Sequence, residues 1–414
     1  MLRGRLAAGA ALMAVAAMAQ QDIATRPAVR QALDYITRNE GAQVDLQVKI
    51  SEVPAPGFHE EQRAAFIAAD FRRLHLENVE IDTAGNVLGI YRGDSPRLLV
   101  VAAHLDTVFP AGTDVNVKRA GSRLNGPGLV DDSRGLAVIL SLADALDRFH
   151  IRTRHTVLFV ADVGEEGLGS LRGVKYLVNE GKYRGQMDAF ISIDGDGQNT
   201  IFDREIGSRR YRVTISGPGG HSYLNFGRVN PAHALGRVIA LLANMEVPSS
   251  PKTVYNVGRI GGGTSVNSIP FDAWMEFDMR SENEDELSRL EQRFLKLVRQ
   301  GVDEENRFRA ASGTELKLDA KQLAVRHAIP DGKNSELVSA AVWASQKLGM
   351  GAPQRKGGST DSNAAAIAGI PAMTMDGGGG AGSLHSPEEW FEPAGSSKGI
   401  AKLLLTVLRW DETR

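Results

Sequence analysis

Residues 98–106 read Leu98-Leu99-Val100-Val101-Ala102-Ala103-His104-Leu105-Asp106, and this stretch decides the fold. A short unbroken apolar run is the pattern of a strand buried on both faces, as in a parallel sheet covered by helices. Two later runs have the same form: Thr156–Ala161 (TVLFVA), which leads to Glu165 and Glu166, and Ala189–Ile193 (AFISI), which ends at Asp194. Between the opening run and Thr156, Leu136, Val138, Ile139, Leu140, Leu142, Ala143 and Leu146 recur at helical spacing. Strands alternating with helices predict an α/β class with a mixed, largely parallel sheet flanked by helices. In such sheets ligands sit beyond the carboxyl ends of the strands, so His104, Asp106, Glu165, Glu166 and Asp194 are expected in one crevice.

The pattern changes near residue 207. Arg209–Ser216 (RRYRVTIS) alternates polar and apolar residues as a half-exposed strand does. A helical stretch over 231–244, strands over 253–260 and 273–280 and a helix over 284–299 follow, the last with acids in its first turn and Lys296 and Arg299 in its last. This reads as a compact α+β unit inserted into the larger one. The α/β pattern resumes after about residue 325, with a helix over 335–348, a strand over 372–375 and a final helix ending near Trp410.

Composition narrows the function. With 42% hydrophobic and 24% charged residues in 414, the chain can bury a sizeable core. The balance of 48 Lys and Arg against 50 Asp and Glu speaks against a dedicated nucleic-acid binder. Cysteine is absent, which removes disulfides, thiolate zinc sites, iron-sulfur clusters and a thiol nucleophile. The first nineteen residues combine Arg3 and Arg5, a short Ala- and Leu-rich run and Ala17-Met18-Ala19. These are the parts of a secretory signal peptide, too short to span a bilayer, so the mature chain is expected to be exported, periplasmic or secreted, and free of the membrane.

His104 and Asp106 fall on one face of a strand end, where a carboxylate orients an imidazole ligand; alone, His104 reads equally well as a core histidine. Asp131 and Asp132 precede a helix and read first as an N-cap and a first-turn acid. Glu165 and Glu166 repel each other at the mouth of a buried strand, which asks for a use or a cation. His385 follows the Gly-rich loop at Gly377–Gly380. Two histidines with several carboxylates suit a hard-to-borderline divalent metal and are too many for one structural zinc; a pair of ions bridged by a carboxylate would use them all. Gly377, Gly379 and Gly382 formally satisfy a dinucleotide fingerprint, but Ser383-Leu384-His385 follows in place of a helix start. No G-x-S-x-G elbow supports a serine hydrolase. A non-catalytic metal- or peptide-binding protein would keep the ligands but have no need of Glu165 beside Glu166.

In their order these motifs resemble the M20 family of co-catalytic zinc peptidases and deacylases: HLDT at His104, GPGLVDD ending at Asp132, GEEG at Glu165, SIDGDG at Asp194, GPGGHS at His221, NSIPFDAWMEFDMRS from Asn267, GGSTDSN from Gly357 and LHSPEEW at His385. The spelling of the Gly-rich loops is closest to the peptidase T-like aminopeptidases. The resemblance implies two divalent ions, zinc with manganese or cobalt as alternatives. Asp131 would bridge them, with His104 and Asp194 completing one site and Glu166 and His385 the other. Asp106 would orient His104, Glu165 would be the general base, and His221 would donate to the scissile carbonyl. Arg280, Asn267, Gly358, Ser359 and Thr360 would bind substrate, a short peptide or, as the alternative, an N-acyl amino acid. The implied division is 1–19 signal peptide, 20–206 and 323–414 catalytic domain, and 207–322 a ferredoxin-like lid or dimerisation domain, in a homodimer. Ser133-Arg134 departs from the Lys that many relatives carry after the paired aspartates, an effect expected to stay within helix capping and nearby salt bridges.

Overall fold

A computed structural model of the chain describes residues 22–195, 197, 199–310, 313–329 and 335–413; the leader read at 1–19 lies outside them. Helices α1 (Pro27–Arg38), α2 (Glu40–Ser51) and α3 (Glu61–Arg73) precede strands β1 (Glu77–Ile81), β2 (Val87–Tyr91) and β3 (Ser95–His104). Then come β4 (Lys118–Ala120), β5 (Arg123–Asn125), α4 (Ser133–Arg148), β6 (His155–Asp162), α5 (Arg172–Asn179), β7 (Met187–Ile193) and β8 (Thr200–Glu205). The inserted part holds β9 (Gly207–Ser216), β10 (Gly220–His221), α6 (Pro231–Ala243), β11 (Thr253–Gly262), β12 (Ser268–Ile269), β13 (Asp272–Ser281), α7 (Glu284–Phe308) and β14 (Lys317–Arg326). The chain closes with α8 (Ser335–Lys347), β15 (Gln354–Gly358), α9 (Ser362–Ile367), β16 (Ala372–Met375), β17 (Gly380–Gly382), β18 (Trp390–Glu392) and α10 (Ser397–Glu412).

The large sheet has eight strands in the order β1-β2-β6-β3-β7-β16-β8-β15. Pairing is parallel from β6 through β3 and β7 to β16 and again between β8 and β15, and antiparallel at β1–β2, β2–β6 and β16–β8. The opening stretch lies at its centre and serves two cores by alternation. Leu99, Val101 and Ala103 join the cluster formed with α4 and α10, whereas Leu98, Val100 and Ala102 join the one formed with α5. Their chemistry-bearing continuations therefore emerge together at the carboxyl edge.

The inserted part folds as strand–helix–strand–strand–helix–strand around a four-stranded antiparallel sheet in the order β11-β13-β9-β14, the ferredoxin-like arrangement. Tyr211, Val213, Ile215, Met275, Phe277 and Met279 point to one face, where Leu235, Val238, Leu287, Phe294 and Val298 cover them. Helix α7 runs past Arg299, where its basic residues suggest a last turn, because Val298, Gly301, Val302 and Glu305 extend its buried stripe. After β16 the Gly-rich loop enters β17 and not a helix, which removes the dinucleotide reading. No helix among the described residues is long and apolar enough to cross a membrane.

Candidate metal centre

The carboxyl edge of the large sheet gathers the predicted ligands. His104 ends β3 and Asp194 follows β7, its neighbour in the sheet, so these two sit on rigid strand ends. Asp131 comes from the loop before α4, Glu165 and Glu166 from the loop after β6, and His385 from the loop after β17. One ligand atom from each of His104, Asp131 and Asp194 lies within 4.8 Å of the others, and the same holds for Asp131, Glu166 and His385 and for His104, Glu165 and Glu166. Asp131 belongs to both of the first two groups. Its Oδ1 is 3.0 Å from His104 Nε2, and its Oδ2 is 3.0 Å from His385 Nε2, which also lies 3.0 Å from Glu166 Oε1.

The two aspartates divide the readings between them. Asp132 is the N-cap of α4: Oδ1 accepts from Gly135 N at 3.0 Å, and Oδ2 accepts from His104 N, also at 3.0 Å. Asp131 caps nothing and faces the imidazoles. Asp106 meets the His104 ring most closely through its backbone. Its carbonyl oxygen is 3.0 Å from His104 Nδ1 while its carboxylate is 3.6 Å away, and that carboxylate accepts from the backbone N–H groups of Glu165 and Glu166, each at 3.0 Å. Arg134 is buried and donates to the carbonyls of Gly377, at 2.9 Å, and Ser396, at 2.7 Å. The Ser133-Arg134 departure thus reaches beyond capping and salt bridges: it anchors the Gly-rich loop that leads to His385.

The electrostatics are those of a cation site. His104 Nε2 and Asp131 Oδ1 are buried without a hydrogen-bond partner among the described residues, although they point at one another. Burial lowers the imidazole of His104, but Asp106 and Asp131 outweigh it and hold the ring well above its usual value. Burial lifts Asp131 while His104 and His385 pull it below the carboxylate range. Asp131 and Glu166 push His385 to about 11. Burial and the Asp131 charge raise Asp194 to about 6 and Glu166 to about 7. Carboxyls pushed up beside imidazoles pushed up mark a cluster in which acids outnumber cations, and nitrogen and oxygen donors in this number fit divalent zinc, manganese or cobalt.

Sequence reasoning misses two residues. Arg326, at the end of β14, is buried; its Nη1 donates to Glu165 Oε1 at 3.0 Å and to the Ser359 carbonyl at 2.9 Å. It sits on an alternating strand that also carries Lys317 and Lys321, and nothing in that pattern marks it. Glu389 is fully buried and accepts from the backbone N–H groups of Gly128, Val130 and Asp131. Burial lifts it to about 7 against the pull of these donors. Its signal is present in the sequence: it is the second acid of LHSPEEW, adjacent to an aromatic strand.

The candidate substrate residues fall into two places. Ser359 lies beside Glu165 through Arg326, with Gly358 closing β15 and Thr360 buried next to it. His221 lies on β10 of the two-stranded ribbon and Asn267 just before its partner β12; the Asn267 carbonyl accepts from Ser222 N and His221 Nδ1 accepts from Tyr223 N, both side chains are exposed, and His221 joins none of the ligand groups found among the described residues. Arg280 donates to Asp278 at 2.9 Å, Asp278 accepts from Arg210, and Arg210 donates to the Gly167 carbonyl just past Glu166.

Residues 100–409 match the model of Peptidase family M20/M25/M40. Carboxypeptidase G2 of Pseudomonas sp. (strain RS-16) is 25% identical over 347 residues, covering 79% of this chain and 78% of that protein. Among solved structures, aminopeptidase PepT from Bacillus cereus ATCC 10987 superimposes with a TM-score of 0.69 at 20% identity, covering 90% of this chain and 99% of that one. The YXEP protein of Bacillus subtilis, a dinuclear metal binding peptidase from the M20 family, has a TM-score of 0.62 at 18% identity, covering 90% and 99%.

Proposed function

The chain belongs to peptidase family M20/M25/M40 and is a peptide-hydrolysing enzyme, and from that premise we propose a two-ion hydrolase that splits the amide bond of short peptides with Glu165 as general base. The observation that carries the two-ion reading is Asp131, whose two oxygens each lie 3.0 Å from a different histidine. His104 and Asp194 would hold one ion, Glu166 and His385 the other, with Asp131 shared. Such a pair supplies Lewis acidity, lowering the pKa of water and polarising the amide carbonyl.

The remaining work falls to this chain's own groups. Burial raises the Glu165 carboxyl against the pull of Arg326, which brings its proton affinity toward the working range of a general base. With Oε1 held by Arg326, Oε2 is the oxygen that takes a proton from water and returns it to the leaving amine. His221 would donate to the developing oxyanion, from its own or a partner subunit. Asn267, Arg280 and the N–H groups of Gly358, Ser359 and Thr360 would hold the substrate's carboxylate and backbone. A homodimer is supported by β11, an end strand of the small sheet that carries exposed Val254 and Ile260. The leader at residues 1–19 supports export to the periplasm or medium, and native N-terminal sequencing starting at Met1 would rule it out. The proposed division into catalytic segments and a lid places β8 and β9 at one crossing.

An N-acyl-amino-acid deacylase would use the same groups and differ in pocket shape. The test is a panel of di- and tripeptides and N-acyl amino acids, assayed after metal removal and reloading with zinc, manganese or cobalt. Turnover on peptides that EDTA abolishes and metal restores is the expected result. Turnover confined to acyl amino acids would favour the deacylase, and binding without turnover would favour the non-catalytic reading.

A further inference from the structure

The two halves of the metal centre are built differently. His104 and Asp194 stand at the carboxyl ends of adjacent strands of the large sheet. Glu166 and His385 stand on loops, and His385 has a left-handed backbone, φ 62°, with half its side chain exposed. A loop imidazole of this kind contributes to a metal site only if something fixes it relative to the shared carboxylate of Asp131.

Glu389 is placed to do that. It lies immediately before β18, which pairs with β5 at Trp390–Asn125 and Phe391–Leu124, and its carboxylate reaches the loop that β5 feeds. Oε1 accepts from Val130 N at 2.6 Å and from Asp131 N at 3.2 Å, and Oε2 accepts from Gly128 N at 3.3 Å. The backbone of the same residue closes two further contacts: its carbonyl accepts from Gly126 N, and its N–H donates to Ser386 O, both at 3.0 Å. One residue therefore joins the loop that carries Asp131 to the turn that follows His385. Among the described residues, its hydrogen bonds go to neither His104 nor Asp194.

The geometry points to Glu389 as the positioning residue of the loop-borne half of the centre: by holding the Gly128–Asp131 backbone against the His385 turn, it sets how firmly the ion shared by Asp131, Glu166 and His385 is bound. This rests on the two-ion reading above. Groups that orient metal ligands typically account for about 10- to 100-fold in metal affinity, and here that effect is expected to fall mainly on the ion whose other ligands, Glu166 and His385, stand on loops, since His104 and Asp194 stay fixed at strand ends.

The test uses the full chain stripped of metal, reloaded with cobalt and dialysed, with bound equivalents measured by elemental analysis and the site followed by visible absorption. Wild type should retain two equivalents. Glu389→Gln, which keeps shape but faces Gly128 N with an amide donor, should retain one, bind the second about 10- to 100-fold more weakly, and give the spectrum of His385→Ala rather than that of His104→Ala. Glu389→Asp, which keeps the charge and shortens the reach, should behave in the same way. Circular dichroism of the stripped proteins reports folding separately. Two equivalents retained at wild-type affinity, or both lost together, would overturn the assignment, as would failure of both variants to fold, which would make Glu389 an anchor of the fold alone. A wild type that binds fewer than two equivalents would instead break the two-ion reading on which this one rests.

Discussion

Two of the concentrations of charge among the described residues are made of similar residues in opposite states. On the face of the small sheet away from its helices, Arg210 and Arg280 both donate to Asp278, and Arg212 and Arg259 both donate to Glu276, at 2.8–3.0 Å. These groups keep part of their surface in water, and Arg212 also lies over the Trp274 ring. Pairs of that kind contribute about 0–1 kcal/mol each and need no ligand to explain them. At the carboxyl edge of the large sheet, Asp131, Asp132, Glu165 and Asp106 are buried around His104, and acids exceed cations. Burying such a set is unfavourable unless another cation joins it. Partnering and burial, and not the presence of charge, separate a binding site from a solvated face.

The largest expected effect tests the buried set. Glu165→Gln keeps the shape of the side chain and its contact with Arg326 while removing the proton acceptor. The turnover number should fall by about 10² to 10⁴, the usual share of a general base. Bound metal should stay at the wild-type amount, since Glu165 is not among the proposed ligands. A variant that turns over at near wild-type rate would move the base elsewhere; one that loses metal would make Glu165 a ligand.

The large-sheet site is legible in the sequence to the extent that strands are. An apolar run that ends in a charged residue declares both its burial and its exit, so pattern alone places His104, Glu165, Glu166 and Asp194 at one edge. It does not separate Asp131 from Asp132, because an N-cap and a candidate ligand look alike in a string of residues; the contact to Gly135 N shows which of the two is the cap. Arg326 is hidden because β14 places alternate residues in contact with a segment more than 150 positions away. Strand β14 itself ends beyond residue 322, the boundary expected for the inserted part. Long-range contacts of this kind leave no local period to read.

A smaller effect concerns a buried acid that belongs to neither set. Glu205 ends β8 where the chain passes into the small sheet, its backbone paired with Ile329 at 3.0–3.1 Å. Burial raises it to about 8, against a hydrogen bond from Ser362 and with Asp203 adding to the rise. The folded form therefore holds a proton that the unfolded chain, with an ordinary Glu near 4.3, has already released. The contribution of this one group to stability is greatest below the unfolded value and declines as pH rises from there to about 8. Glu205→Gln lacks that decline. Its melting temperature relative to wild type should climb between pH 5 and 8, corresponding to a few kcal/mol at most, at about 1.4 kcal/mol for each tenfold difference in proton affinity between the folded and unfolded chain. Parallel pH curves for the two proteins would show that Glu205 is charged in the folded state and has a partner.

The smallest effect decides on which side of the comparison Arg280 falls. Its Nε is committed to Asp278, and its side chain is 41% exposed, which describes a surface ion pair. Through Asp278 and Arg210, however, it is tied to the Gly167 carbonyl, one residue past Glu166, and so is linked to the loop that carries Glu165 and Glu166. Loss of a paired surface arginine changes stability by about 0.5 kcal/mol or less. Loss of a carboxylate-binding fork raises KM roughly ten-fold, about 1.4 kcal/mol, while leaving kcat nearly unchanged, because the contact exists in ground and transition states alike. Arg280→Ala should follow the second pattern with a peptide that has a free carboxylate and lose the effect with its amide. Equal KM values for acid and amide in both proteins would return Arg280 to the solvated face, and the substrate's carboxylate would then have to be held by another group at the edge of the large sheet.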